Sequence, residues 1–482
     1  MAVWRSRPLL ALALLATASV AAPPASASPR SDPTTGRTVF TGATVAHPTS
    51  ITLNPAALGR DDKSATTIYV ALTSVLQQLD LQRREQDLAT GALVDGARID
   101  DTQVLPGGQL AVVWHTSPRL TLGFEARLPV PEMYADGHDE LRYHVRSGST
   151  RDYVASAAVA LRLGGRVFVG ASVSHANTFL RLRYARDTAL EAGSAGLASD
   201  CGGSPCGLGN DLATELYDVD VRSPWISTSN LRVNVGTVVR VMKGVWVGVG
   251  YHTPPGLGIQ TSLDGTVAVR RAPRDGGDLL EGGSTVNVSL PASIDAEIRA
   301  ALPGSLELAL GGRWEDLSRN RAYDVRVYNS RFRAAGIPEW QVRPRGFDDA
   351  FAMWAGVEQV GLGDDQPWGF GGRIGFETAS VTTARTSPMA IGPTSVTLDL
   401  GAQLRLRQWT LQLSYGLHYL PEVNVERSAY DPQDRIDCLD GGLDYATPAC
   451  AAVRGGYAIS TAAGDYRQLE HALRLGFQYA FP

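Results

Sequence analysis

The last strand-like run of the chain alternates strictly between apolar side chains and polar or small ones. Over residues 473–481, every odd position is apolar and every even position is polar or small. A period of two places successive side chains on opposite faces of a β-strand. An apolar, aromatic-rich face is typical of the closing strand of an outer-membrane β-barrel, which turns that face toward lipid. We therefore expect an all-β chain whose strands cross a bilayer.

The N-terminus predicts secretion. Arg5 and Arg7 precede an apolar stretch, and Ala25-Ser26-Ala27 offers a cleavage site of the small-x-small type. This arrangement is typical of a secretory signal peptide, here over residues 1–27. The alternative, a single membrane anchor, fits poorly because the stretch is short and ends in two prolines. The remaining sequence contains no run of about eighteen apolar residues that would form a transmembrane helix.

Alternating runs recur through the rest of the chain and give about fourteen predicted strands. The clearest runs lie over 167–174, 245–252, 398–406 and 410–419. Short turn signals alternate with long connections, which we expect near 84–108, 129–150, 184–230, 271–283, 321–346, 380–395 and 428–464. Short turns at one end and long loops at the other form the pattern of an outer-membrane barrel.

A soluble β-sandwich or a lipocalin-like protein is the alternative fold. Such a protein would also alternate, but a barrel of about eight strands already fills its own interior, which leaves no use for further apolar faces. The sequence therefore predicts one transmembrane antiparallel β-barrel over 66–482. The preceding stretch, 28–65, is too short to fold alone. We expect it to lie in the lumen as a hatch, or plug; the alternative is a disordered leader.

The four cysteines fall into two close pairs. Cys201 lies near Cys206, and Cys438 lies near Cys450, each pair within a predicted long external loop. We expect local disulfides, because an oxidising compartment closes such short loops readily. Neither pair has CxxC spacing and no histidine lies beside them, so we expect neither a metal site nor a cofactor.

Charge and motifs exclude other classes of function. The net charge is −5, and no basic patch with interleaved aromatic residues occurs, so nucleic acid is not an expected partner. The sequence lacks the Gly-x-Ser-x-Gly, His-Glu-x-x-His and P-loop motifs, so we expect no enzyme. An outer-membrane lipase, with its serine and histidine on separate strands, is the enzymatic alternative.

An ordered set of motifs resembles one protein family. Residues 41–46 followed by Asn54, Pro55 and Ala56 are similar to the N-terminal hatch of the FadL/TodX family of outer-membrane transporters for long-chain fatty acids and other hydrophobic compounds. The likeness continues in order at 248–254, 290–293, Trp314, 347–358, 385–388 and 475–477. The resemblance implies a barrel of about fourteen strands with a hatch. The long loop over 184–230 and the enlarged last loop depart from the family pattern.

The resemblance implies a role for two prolines. Pro129 and Pro131 follow the run over 120–128, and proline donates no hydrogen bond to a β-ladder. Members of the family have a kink in the third strand that opens the barrel wall. We therefore expect these prolines to shape a lateral exit; the alternative is that they end the strand and begin a loop.

Inward-facing arginines are candidates for binding a carboxylate, because a guanidinium pairs with it in bidentate geometry. By alternation the candidates are Arg162, Arg313, Arg373, Arg405 and Arg474. The alternative is that some of them pair with lumen acids such as Glu307 and Glu377.

The resemblance and the strand pattern together imply a function. We expect a monomeric barrel in the bacterial outer membrane that passes hydrophobic small molecules, above all long-chain fatty acids, by facilitated diffusion, with membrane lipid as its other partner. One alternative is a surface barrel that does not transport and serves adhesion through its cysteine-containing loops. Another is a transporter of aromatic hydrocarbons.

Overall fold

The described residues form one closed sheet. The computed structural model describes residues 33–60, 66–86, 92–134, 138–187, 218–258, 261–271, 277–320, 322–334, 337–359, 366–431, 437–438, 440–442, 450 and 461–481. Their nineteen strands are β1 Thr66–Gln86, β2 Leu93–Ser117, β3 Leu120–Leu128, β4 Glu132–Tyr134, β5 Ser147–Leu163, β6 Val167–Asp187, β7 Asp218–Met242, β8 Val245–His252, β9 Thr261–Arg271, β10 Leu279–Val288, β11 Ser293–Leu302, β12 Leu306–Glu315, β13 Ala322–Tyr328, β14 Trp340–Pro344, β15 Ala350–Gln359, β16 Trp368–Glu377, β17 Ser395–Leu406, β18 Trp409–Val425 and β19 Gly464–Phe481.

The first and last strands close the sheet into a barrel. β19 pairs with β18 on one edge and with β1 on the other, and the register of β1 and β19 runs from Thr66 opposite Phe481 to Arg83 opposite Gly464. Neighbouring strands are antiparallel throughout the described pairings. This architecture confirms the predicted all-β, antiparallel barrel.

Helical structure is limited to short pieces. The α-helices are Ser50–Leu53 and Ser330–Ala334, and the 3-10 turns are Pro33–Thr35, Pro55–Arg60, Asp139–Leu141, Pro255–Gly258, Leu317–Arg319 and Thr383–Arg385. None of the helices in the described ranges has the length and apolar character needed to cross a membrane.

The described sheet has nineteen strands, whereas the sequence predicted about fourteen, because several stretches of the wall are broken. β3 and β4 both pair with β5, and the break between them is 129–131. β8 and β9 both pair with β7 and are separated by 253–260. Similar breaks separate β10 from β11, β12 from β13, and β14 from β15. Each break divides one stretch of wall into two segments in line, which the alternation pattern alone did not resolve.

The outer face of the barrel is apolar, as the alternation predicts. On β19, Leu473 and Leu475 are 51% and 54% exposed, whereas Arg474 between them is 4% exposed. Outward-facing leucines and aromatic residues on β17 and β18 follow the same rule. On these strands the alternate apolar side chains therefore cover the outside of the wall, and the residues between them face the lumen.

The predicted long connection at 84–108 is wrong, because strand occupies most of it. β1 extends to Gln86, and β2 begins at Leu93 and continues through Pro106. β2 pairs with β1 along this length, but its pairing with β3 begins only at Gly108. Pro106 thus lies where β2 has lost its second neighbour, and an unpaired edge tolerates proline. The expected connection over 321–346 likewise contains β13, a helix and β14.

Candidate functional site

The N-terminal segment, from Pro33 to Arg60, lies inside the barrel. Its residues contact strands on opposite sides of the barrel. Ala56 lies against Gly170 of β6, and Phe40 lies against Gly401 of β17. Nearly all of the segment is buried. At Gly170 a Cβ atom would overlap the backbone at Ala56, so glycine lets the segment reach the strand directly.

The Asn54-Pro55-Ala56 motif forms the turn that anchors this segment. Asn54 donates through Nδ2 to the carbonyl oxygens of Ala43, at 2.6 Å, and Thr237 of β7, at 3.2 Å. Its Oδ1 accepts a hydrogen bond from the backbone of Ala56 at 3.3 Å. Pro55 then begins the 3-10 turn, where its missing N–H costs no hydrogen bond. The motif therefore joins two parts of the segment to the wall.

A buried ionic network holds the start of the segment against the wall. Glu358 of β15 accepts hydrogen bonds from Arg299 Nη1 at 2.6 Å, from Arg373 Nη2 at 2.9 Å and from the backbone of Phe40 at 3.1 Å. Both arginines also donate to the carbonyl of Thr41. Arg373, a predicted carboxylate ligand, is thus engaged in fastening the segment.

A second ionic contact fastens the segment to β11, the strand that also carries Arg299. Arg37 donates through Nε and Nη2 to the two oxygens of Asp295 in β11, each at 2.8 Å. His252 Nε2 lies 3.0 Å from Asp295 Oδ2, and its Nδ1 lies 3.1 Å from Asn234 Oδ1. The Asp295 side chain is 1% exposed, so its negative charge is matched within the protein.

A cavity of about 220 Å³, called here the main cavity, lies between the segment and the wall. Apolar, polar and charged side chains share its lining, the acids Asp152 and Glu315 among them; the residues used below are Leu53, Pro129, Leu290, Arg37, Arg232 and Arg313. This volume exceeds the roughly 150 Å³ of an apolar cavity that takes benzene. A section of an alkyl chain therefore fits, and arginines are among the residues around it.

Arg232 is the cation of the main cavity that carries no acidic partner. Its Nε donates to the carbonyl of Thr253 at 2.9 Å, and no carboxylate of the described residues lies within 4.0 Å of its guanidinium. Arg313, in contrast, is paired with Glu315 at 2.7 Å. A carboxylate entering the cavity can thus pair with Arg232 without displacing another acid.

Arg232 is not among the arginines predicted from the sequence, although it lies just past the expected connection over 184–230. β7 instead begins at Asp218. Leu231 is 51% exposed and Val235 is 45% exposed, which places Arg232 on the inner face between them. The apolar residues at 231, 233 and 235 were the signal that would have found it.

The five predicted arginines lie in different parts of the barrel. Arg313 lines the main cavity, and Arg474 donates to Pro33 at 2.8 Å and to Gln109 at 2.9 Å, which ties the start of the segment to the wall. Arg313, Arg373 and Arg474 also line a smaller cavity of about 100 Å³. Arg162 and Arg405 lie next to short turns; the Arg162 guanidinium is 5.5 Å from the ring of Phe168, and Arg405 is exposed.

The wall is interrupted beside the main cavity. Pro129 and Pro131 lie in the break between β3 and β4, and Pro129 lines the cavity. β2 pairs with β3 no further than Gly108 opposite Leu128, and among the described pairings β4 bonds only to β5. From Gly107 toward Leu93, β2 therefore pairs with β1 alone among the described strands. The side chain of Thr34 lies at Gly107, at the edge of the gap.

The cysteines and potential metal ligands add no further site in the part of the chain that is described. Cys438 and Cys450 form a disulfide, the pairing expected from their spacing. Cys201 and Cys206 lie outside the described residues, as does the expected signal peptide. Within the described ranges, no group of three or more His, Cys, Asp and Glu side chains could hold a metal ion.

Solved structures share this architecture. A FadL homologue from Pseudomonas aeruginosa matches with a TM-score of 0.69 and 13% identity, over 95% of this chain and 99% of that one. The toluene transporter TodX of P. putida gives a TM-score of 0.60 and 11% identity, over 93% of this chain and 97% of the other.

The Ralstonia pickettii toluene transporter TbuX gives a TM-score of 0.59 and 16% identity, over 94% and 98% of the two chains. No family model and no curated protein sequence matches the chain. The resemblance first drawn from short motifs is thus confirmed as a shared fold.

Proposed function

We propose that this chain, which has the fold of the FadL homologue and of the TodX and TbuX transporters, is an outer-membrane transporter of hydrophobic molecules and that its cargo is a long-chain fatty acid. The apolar outer wall supports a place in a bilayer. The observation that carries the choice of cargo is Arg232, a cation without a carboxylate partner among the described residues, in a cavity that is otherwise partly apolar.

The cavity favours an acid over a neutral hydrocarbon. A carboxylate that pairs with Arg232 gains about 1.5–3 kcal/mol from charge-assisted hydrogen bonds. Its chain then lies against Leu53, Pro129 and Leu290. A hydrocarbon of the kind named for the toluene transporters would cover the same guanidinium without pairing with it, and covering an unpaired charge is unfavourable.

Transfer energies support a lateral route. Burial of one CH₂ group is worth about 0.8 kcal/mol, so a tail of about sixteen carbons gains roughly 12 kcal/mol on leaving water. Release into water would forfeit that energy, whereas passage through the gap beside Pro129 into lipid would keep it. Movement down a gradient then needs no energy source, which is facilitated diffusion.

The N-terminal segment supports a plugged barrel. The described part of this segment is buried and contacts opposite sides of the barrel. These contacts support a hatch over 28–65 and a barrel around it over 66–482. The hatch closes the direct path along the barrel axis. The gap between β2 and β4 is then an exit for a hydrophobic chain that lies beside the main cavity.

Replacement of Arg232 by glutamine tests the choice of cargo. We expect the affinity for hexadecanoate to fall about 10- to 100-fold, the equivalent of 1.5–3 kcal/mol, with uptake of hexadecan-1-ol unchanged. Arg326→Gln is the matched control, because Arg326 is an exposed wall arginine paired with Asp324 at 3.2 Å, away from the cavity. Uptake by cells and binding to purified protein are the measurements. An equal loss of binding and uptake for the acid and the alcohol, or no loss for either, would contradict the proposed cargo.

A further inference from the structure

A serine, a histidine and a glutamate form a hydrogen-bonded series on the inner face of the wall. Ser395 begins β17, His418 lies on β18 and Glu470 lies on β19. His418 Nε2 is 2.7 Å from Ser395 Oγ, and its Nδ1 is 3.1 Å from Glu470 Oε2. All three side chains are buried. They are 23 and 52 positions apart in the sequence, so the pairing of the strands brings them together. We call these three residues the triad.

We propose that the triad hydrolyses esters with a short acyl group, with Ser395 as the nucleophile, His418 as the general base and Glu470 as the residue that positions the histidine. A nucleophile bonded to a base that a third group orients is the arrangement by which serine hydrolases act. This activity goes beyond transport. It depends on neither the cargo nor the exit route proposed above.

Glu470 fixes the proton positions on the histidine ring. Its Oε1 accepts from Gln77 Nε2 at 2.8 Å and from Gln468 Nε2 at 2.7 Å, which holds the carboxylate in place with Oε2 toward His418. A carboxylate only accepts, so Nδ1 of the neutral ring carries the proton, and Nε2 accepts from the Ser395 hydroxyl. This is the tautomer that a general base needs.

A second carboxylate supports proton transfer to the histidine. Glu377 lies opposite Ser395 in the register of β16 and β17, and its Oε2 is 3.9 Å from His418 Nε2. This distance is too long for a hydrogen bond, so the serine hydroxyl is the closer partner of that nitrogen. When His418 takes the proton, the resulting imidazolium lies between two carboxylates, which stabilise its charge.

The smaller cavity, of about 100 Å³, borders the triad. His418 and Glu470 line it, as do two neighbours of Ser395, namely Glu377 opposite it and Thr397 on its own strand. The volume is about two-thirds of the roughly 150 Å³ that takes the six carbons of benzene, so an acyl group of about four carbons fits. A hexadecanoyl group is far longer, which separates this substrate class from the cargo proposed above.

Arg313 supplies positive charge for the carbonyl oxygen of the ester. It lines the same cavity, and three opposite pairs, Arg313–Ala352, Ala352–Glu377 and Glu377–Ser395, place it in one row with the serine. Its Nε is buried and has no acceptor among the described residues. An oxyanion formed at the substrate carbonyl provides that acceptor, and donors that meet a developing oxyanion lower the barrier to acyl transfer.

The reaction balances with water as the second reactant. Ser395 Oγ bonds the acyl carbon and gives its proton to His418 Nε2, which then protonates the leaving alkoxide as the ester C–O bond breaks. A water molecule next gives a proton to His418 and adds to the acyl carbon. The bond to Oγ breaks, and Ser395 recovers its proton. The products are an alcohol and a carboxylic acid, and nothing is oxidised.

A fluorophosphonate with short alkyl groups tests the site in the full-length protein in detergent. An activated serine bonds its phosphorus as fluoride leaves, and we expect mass spectrometry to place the label on Ser395. Acid release should be faster from ethyl butanoate than from ethyl hexadecanoate. Ser395→Ala, which removes a single oxygen, should abolish label and turnover. His418→Gln should lower both rates at least about 1,000-fold.

Glu470→Gln separates a positioning role from a structural one. The glutamine amide donates to Nδ1, which reverses the tautomer and leaves Nε2 unable to accept from Ser395. We expect labelling to slow about 100-fold yet to reach the same final extent. A variant with a damaged barrel would reach a lower final extent instead. Arg313→Gln should lower kcat for ethyl butanoate about 100-fold, the effect of losing one oxyanion donor.

Two matched controls change the same residue types elsewhere in the wall. Ser156→Ala removes a buried serine whose hydroxyl lies 2.9 Å from that of Ser174. His471→Gln replaces a histidine of β19 whose Nδ1 lies 2.8 Å from the Tyr415 hydroxyl. Both variants should take the label and release acid at the rates of the unaltered protein.

Label on Ser395 that requires His418, together with turnover of the short ester, supports the proposal. Absence of label on Ser395, equal turnover in Ser395→Ala, or labelling that His418→Gln does not slow overturns it. Faster turnover of ethyl hexadecanoate overturns the assignment of short acyl groups. Binding of hexadecanoate to the unaltered protein decides the proposed cargo separately, so each proposal can fail without the other.

Discussion

Replacement of Glu358 by glutamine should loosen the N-terminal segment strongly. Glu358 is buried and is the one carboxylate within 4.0 Å of Arg373 in the described part of the chain. Arg299, its other partner, keeps Glu297 at 3.1 Å and Glu307 at 3.2 Å. The substitution therefore leaves one buried guanidinium without a counter-charge and weakens the acceptor that holds the segment backbone.

The magnitude follows from this loss of partners. Breaking a buried ion pair from one side costs about 3–5 kcal/mol, and glutamine keeps one acceptor oxygen, so we take about 3 kcal/mol. At 1.4 kcal/mol per factor of ten, the segment should open roughly 100-fold more often. The amide of Phe40 reports this directly, because it donates to Glu358 at 3.1 Å.

Hydrogen–deuterium exchange at Phe40 in the detergent-solubilised protein is the measurement. Glu307→Gln is the control: Glu307 also bonds Arg299, but its side chain is 19% exposed. Glu307 is partly exposed, and Arg299 keeps Glu297 and Glu358 without it, so we take at most about 1 kcal/mol, and the control should change exchange less than about fivefold. If Glu358→Gln exchanges within about threefold of the unaltered protein, the network does not hold the segment and the reasoning is refuted.

Two further predictions concern the gap and the segment. Replacing both Pro129 and Pro131 by valine should lower hexadecanoate uptake, because residues with an N–H can extend the pairing across the break; unchanged uptake in cells would remove the gate role. Burial first, and then the charge of Arg474, lower the pKa of His47 to about 3 from its usual 6.5. Above pH 6.5 the imidazole is neutral whether or not the segment is docked, but below it the released segment binds the proton more readily. Docking should therefore weaken by about 2 kcal/mol between pH 7 and pH 5, a loss that urea titrations should show and that His47→Gln should abolish.

Strand alternation was predictable because it is a local property. The apolar positions of β17, β18 and β19 face outward as the sequence indicates, since a period of two assigns each side chain to a face without reference to its neighbours. The turns near 164, 243 and 407 were predictable for the same reason: residues there adopt positive φ values, at Gly164, Gly244 and Arg407. Where pairing is lost on one side, as along β2 at Pro106, the same local reading mistook a strand for a loop.

The sequence by itself determined the barrel, the inner and outer faces of its strands and the turn at Asn54, because these depend on residues a few positions apart. The tertiary structure alone decided which arginines bond other parts of the protein. Arg373 bonds Thr41 across 332 positions and Arg37 bonds Asp295 across 258, whereas Arg232 is left facing the cavity without an acid among the described residues. Alternation can place a charge on the inner face of the wall, but its partner comes from whichever distant segment the closed barrel brings within reach.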